Sequence, residues 1–116
     1  MIEGYVYMMS NKKRGVIYIG SSIDMMRRGW EHRNKLIDGF TKRFNLTKLV
    51  WVKRCESVEA VRTQEQKLKN RSRARKIEII EQNNPQWLDL YPRFFIETEF
   101  LRDPAMPLTR PAGLTE

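Results

Sequence analysis

The chain contains one cysteine, Cys55, and one histidine, His32, among its 116 residues. A lone cysteine excludes an internal disulfide framework and a cysteine-rich zinc site. A lone histidine argues against a multi-histidine metal centre. Long apolar runs are missing as well: none approaches the ~18 residues of a membrane-spanning helix, so no membrane partner is expected. The start, Met1-Ile2-Glu3-Gly4-Tyr5, has neither the basic residues nor the apolar stretch of a secretory signal, which points to the cytoplasm. There is no internal repeat and no low-complexity tract. With 31% charged and 41% hydrophobic residues the balance is that of a globular domain, and the length has room for one.

Positive charge is in excess. Lys and Arg number 22 against 14 Asp and Glu, a net charge of +8. Residues 1–96 hold 20 basic and 10 acidic side chains, whereas residues 97–116 hold 2 and 4, so a cationic body carries a mildly anionic tail. The densest cationic stretch, residues 67–76, contains Lys67, Lys69, Arg71, Arg73, Arg75 and Lys76 without one acid. Such a cluster attracts a phosphate backbone and releases its counterions, although a solvated basic helix looks the same in sequence.

Hydropathy patterning divides the chain into short elements. Tyr5-Val6-Tyr7-Met8-Met9 and Val16-Ile17-Tyr18-Ile19-Gly20 read as strands around a polar loop ending in Gly15, a hairpin. Asp24 is an N-cap for a helix over residues 25–36, and Asp38-Gly39 closes it. Lys48 to Lys53 reads as a third strand. Ser57 caps a second helix over residues 58–70. A third begins near Arg73 and stops at Asn83-Asn84-Pro85, because the residue before proline is pushed out of the helical region. Trp87, Leu88, Leu90 and Tyr91 make a last apolar patch. Pro104, Pro107 and Pro111 speak against regular structure beyond it. The order is β-β-α-β-α-α plus a tail, an α+β domain.

Three features fit a bland fold poorly. Advancing about 100° per residue puts Glu65 within about 60° of Val58, Val61 and Leu68, inside the apolar stripe of its helix. A carboxylate there needs a cation or hydrogen bonds, so Glu65 either binds a metal or pairs with an arginine at the stripe's edge. Arg28 and His32, four apart, share a helix face and can neutralise a phosphate together or form a surface pair, with Met26 and Trp30 marking a neighbouring apolar face. Tyr7 and Tyr18 lie on adjacent strands, where aromatics pack across strands or orient a water.

Order and spacing together resemble the GIY-YIG endonuclease superfamily. Tyr5-Val6-Tyr7, ten residues, then Tyr18-Ile19-Gly20 is similar to its paired motif. Arg28, eight residues after Gly20, is similar to the family's helix arginine, and His32 to the position four further on that carries His or Tyr. Glu65 in Glu65-Gln66-Lys67-Leu68-Lys69 resembles the metal-binding glutamate. Trp30-Glu31-His32, Asp38-Gly39-Phe40-Thr41 and Asn84-Pro85-Gln86-Trp87 resemble segments of the small stand-alone bacterial members. Tyr5 replaces the first motif's glycine, and Ser21 stands where some relatives have lysine.

The resemblance implies a nuclease domain over residues 4–92, built on a three-stranded antiparallel sheet flanked by helices, with residues 93–116 a partly irregular tail. It implies hydrolysis of phosphodiester bonds in nucleic acid, DNA rather than RNA, with low sequence specificity and one divalent cation, Mg2+ or Mn2+. Glu65 would hold the cation, Arg28 a phosphate oxygen, and Tyr7 or Tyr18 the attacking water. His32 would assist by hydrogen bonding, and Asn84 would support the site or cap the third helix. Lys12, Lys13 and Arg14, with the basic residues of the 67–76 stretch, would grip the strand. The alternative is a nucleic-acid-binding module of the same fold without turnover. A small adaptor, dimeric through Phe94, Phe95, Phe100 and Leu101, is a third reading, and the chain is expected to be a monomer or homodimer.

Overall fold

In a computed structural model of the chain, the described residues are 4–36 and 39–92. The elements are β1 (Gly4–Ser10), β2 (Ile17–Ser22), α1 (Met25–Arg33), α2 (Phe40–Arg43), β3 (Lys48–Cys55), α3 (Val58–Lys69) and α4 (Arg73–Asn83). The three strands form an antiparallel sheet in the order β2-β1-β3, so β1 is central and β2 is an outer strand. The α+β class and the antiparallel sheet match the sequence reading.

Alternation along β1 sends its side chains to two cores. Val6 and Met8 join Ile19, Val50, Leu68, Ile80 and Trp87 on the face covered by α3 and α4. Tyr7 and Met9 join Met25, Leu46, Leu49 and Tyr91 on the α1 face. A bulge between Met8 and Met9 lets Trp51 and Leu49 oppose them in turn and leaves Val50 between.

The helices start where their caps say. Asp24, Ser57 and Ser72 each accept a hydrogen bond from a backbone N–H three residues on. Helix ends depart from the sequence reading. α1 stops at Arg33, not near Leu36, because Asn34 turns its N–H back to the Trp30 and His32 carbonyls and Lys35 takes a left-handed φ of 56°. The short helix α2 was not expected, so the order is β-β-α-α-β-α-α. Four residues are too few to show a helical period. Trp30 is 53% exposed and marks no core face. The ring of Tyr91 packs against α1 at Gly29, where an added Cβ would run into it, and its hydroxyl donates to the Met26 carbonyl.

The segment after α4 runs along the outer side of β3. Leu90 N donates to the Leu49 carbonyl at 2.7 Å, and the Asp89 carboxylate accepts from Leu49 N and pairs with Arg33. Asn84 is buried as the C-cap of α4, with its amide donating to the Val50 and Leu88 carbonyls and its oxygen accepting from Leu88 N. Its side chain thus joins the end of α4 to β3 and to the segment that follows. The tail and its aromatic residues lie outside the described residues, as does Asp38.

Candidate active site

Tyr7 pairs directly with Gly20 across β1 and β2. The phenol occupies the space a side chain at Gly20 would fill: a Cβ there would stand 2.6 Å from the Tyr7 hydroxyl and 2.9 Å from the Tyr18 ring. The glycine therefore lets a buried tyrosine reach over the outer strand, a local reason for Gly in Tyr18-Ile19-Gly20.

Three rings close around this point. The Tyr7 hydroxyl lies 2.9 Å from His32 Nε2, and the Tyr7, Tyr18 and His32 ring centroids are 5.5 to 6.3 Å apart. Tyr7 and His32 are buried, whereas Tyr18 is half-buried. Burial chiefly, with Arg28 adding to it, lowers the His32 pKa to about 4. The imidazole is therefore neutral near pH 7, and in the tautomer with its hydrogen on Nδ1 the Tyr7 hydroxyl donates to Nε2. Nδ1 is buried without a partner among the described residues. Burial, and then the neighbouring Tyr18, raise the Tyr7 pKa strongly. Arg28 opposes that rise, and Glu65 and Glu31 add to it.

Glu65 approaches from the other face. Ser21 follows Gly20, so its side chain points toward α3, where its hydroxyl donates to Glu65 Oε1 at 3.0 Å. Lys69, one turn on, meets Oε2 at 3.0 Å. The carboxylate is thus anchored on the α3 side of β2, while the phenols stand on the α1 side. The Tyr7 phenol stands over Gly20, and the next residue of the outer strand, Ser21, holds the Glu65 carboxylate on the opposite face. Arg28 is half-buried and lies 4.0 Å from Glu31, which also meets Arg27 at 3.7 Å.

The donor set suits a hard divalent cation. Among the described residues no three of His, Cys, Asp and Glu gather into a metal site, so Glu65 belongs to no such cluster. Mg2+ and Mn2+ are often held by one or two carboxylates, with waters and phosphate oxygens completing the shell. Each Glu65 oxygen keeps a lone pair beyond its present partner, and Lys69 is the group a cation would compete with.

Ser21, Glu31 and Phe40 were not foreseen here. Ser21 holds Glu65, Glu31 balances Arg28, and Phe40 stacks on Tyr18 with centroids 6.3 Å apart. The expected grip is partly committed elsewhere. Arg14 makes a two-pronged ion pair with Glu81, both contacts 3.0 Å, and Arg73 donates to the Arg14 carbonyl. Glu81 also accepts from Trp87 Nε1 at 2.7 Å, and these partners lower its pKa to about 2. Arg75 pairs with Glu78, and Lys69 with Glu65. Lys12 and Lys13, at the hairpin tip, and Lys67, Arg71 and Lys76 are exposed or half-exposed.

The hairpin and the helices beside it, α1 and α3, carry two tyrosines, an arginine, a histidine and a glutamate. The family model for the GIY-YIG catalytic domain matches residues 3–78. The chain belongs to the GIY-YIG family, a family of endonucleases acting on nucleic acid. No curated protein and no solved structure matches it. Among the described residues no helix is long and apolar enough to cross a membrane.

Proposed function

We propose that the protein is a divalent-metal-dependent endonuclease that hydrolyses phosphodiester bonds, preferentially in DNA, with little sequence specificity. The observation carrying this reading is that two adjacent residues of the outer strand sit against the Tyr7 phenol, at Gly20, and against the Glu65 carboxylate, at Ser21. Mg2+ or Mn2+ at Glu65 would neutralise the phosphate and the departing oxyanion. Arg28 binds a non-bridging phosphate oxygen and grips harder as negative charge builds. Tyr7 gives its proton to His32 and keeps oxygen lone pairs for the attacking water. As the water is deprotonated, its proton passes to Tyr7 while the Tyr7 proton passes to His32 Nε2. No buried phenolate need form, and the arriving phosphate offsets the Arg28 charge, which adds to burial in keeping His32 neutral. Tyr18 walls the site and orients the phenol and imidazole. Lys12, Lys13, Lys67, Arg71 and Lys76 hold the backbone on either side.

Labelled DNA and RNA, single-stranded and duplex, incubated with Mg2+ or Mn2+ test this directly. Cleavage by the wild type should fall at least ~100-fold in Glu65→Ala and Arg28→Ala. Equal cleavage by all three proteins would mean a contaminant and would overturn the reading. The Lys69 ammonium already seated on Glu65 favours the second reading, a binding module without turnover. Binding of nucleic acid with no cleavage under any cation would select it.

A further inference from the structure

One run of side chains beside the site has no part in the reaction above. From Tyr18 the rings continue outward: Phe40 lies over Tyr18 with planes 27° apart, and Phe44 follows at 4.7 Å from Phe40. The Arg43 guanidinium sits 5.5 Å above the Phe44 ring. Phe40 and Phe44 are 46% and 40% exposed, although phenylalanine is ordinarily buried. A concavity of about 600 Å³ opens beside them, lined among the described residues by Gly39, Phe40, Lys42 and Arg43, none of them acidic.

We propose that Phe40 and Phe44 form a stacking platform for the unpaired bases of a single-stranded segment, running outward from Tyr18. This rests on the nuclease reading only for the class of ligand, nucleic acid. Partly exposed aromatic rings flanked by Lys42 and Arg43 suit a polymer that alternates flat apolar bases with phosphates. Arg43 faces the phosphates while also lying on the Phe44 ring. A continuous duplex cannot use the platform, because its bases already stack on one another. The inner rung, Tyr18, touches Tyr7 and His32, so a strand stacked on Phe40 enters the site directly. The enzyme therefore selects overhangs, flaps and gaps over intact duplex.

Binding is read by fluorescence anisotropy in EDTA, with one labelled oligonucleotide as single strand and as duplex. The wild type is expected to hold the single strand at least ~10-fold more tightly. Phe40→Leu and Phe44→Leu keep apolar bulk and remove the π face, and each should weaken single-strand binding ~10-fold while leaving duplex binding unchanged. A 2-aminopurine base in the strand should be quenched by the wild type and brightened by either variant. That quenching is readable on the wild type alone should a variant fail to fold. Equal affinity for both forms, absent quenching, or unchanged variants would overturn the proposal. So would variants that lose self-association but keep single-strand affinity, since the platform would then be a contact between copies. The binding arms contain no free metal, so a protein that stacks bases but never cleaves leaves this inference standing and removes the nuclease reading. Cleavage without stacking does the reverse.

Discussion

The Tyr7 hydroxyl and His32 Nε2, 2.9 Å apart, form a buried neutral pair whose imidazole titrates near pH 4 instead of 6.5. The pair sits where charge is costly, and that governs several measurable properties.

His32 should make the fold acid-sensitive over a defined window. Its folded pKa lies below its unfolded value, so its contribution to stability is full above about pH 6.5 and is lost as pH falls through about 4. Below 6.5 the unfolded chain takes up a proton that the folded one refuses. Thermal melts from pH 7.5 to 4 should show a decline in wild type that is shallower in His32→Gln. Because the chain has one histidine, its imidazole NMR signals should stay unshifted until the pH nears 4. A midpoint near 6.5 would mean the ring is solvated.

Gly20→Ala should disturb the fold and the site together. The new methyl would stand 2.6 Å from the Tyr7 hydroxyl, and Tyr7 is fully enclosed and tied to His32. Overpacking of this kind costs roughly 1–3 kcal/mol. Urea denaturation should show that loss, and cleavage should fall with it because the phenol must move.

Ser21→Ala should act on the cation alone. It removes one hydrogen bond from Glu65 and leaves the Lys69 contact intact. Loss of a partner that orients a ligating carboxylate typically weakens metal affinity by about 10–100-fold. Cleavage measured against Mg2+ concentration should shift to higher metal by about that factor and recover near its full rate at saturation. An unshifted curve would separate Glu65 from the cation.

Basic residues should divide by whether they are already paired. Arg14 is held by Glu81, so Arg14→Ala should leave the salt dependence of binding almost unchanged. Lys67→Ala and Arg71→Ala should each lower the log–log salt slope by about one. A slope change for Arg14 equal to that for Lys67 would show that nucleic acid displaces Glu81.

The strands and caps were legible because they are local: alternation in Tyr5 to Met9, and Asp24, Ser57 and Ser72 at their helix starts. Tyr7, Tyr18, Arg28, His32 and Glu65 could be singled out because their spacing follows a family pattern. What stayed hidden depends on contacts distant in sequence. A run of cations cannot reveal that Arg14 is neutralised by Glu81, 67 residues away, or that Arg73 holds the same loop. Ser21 read as a departure from the pattern, and only the parity of β2 gives it Glu65 as a neighbour. Phe40 was visible as a residue, but the helix that stacks it on Tyr18 has too few residues to announce itself.

The two rims of the sheet are unequal. Along β3 the chain's own residues 89 and 90 occupy backbone groups that another strand could have paired with, which guards that side against edge-to-edge association. The β2 rim carries no such strap among the described residues, and it is there that Gly20, Ser21 and the phenols gather. One margin is therefore sealed by folding, and the other is left for a visitor.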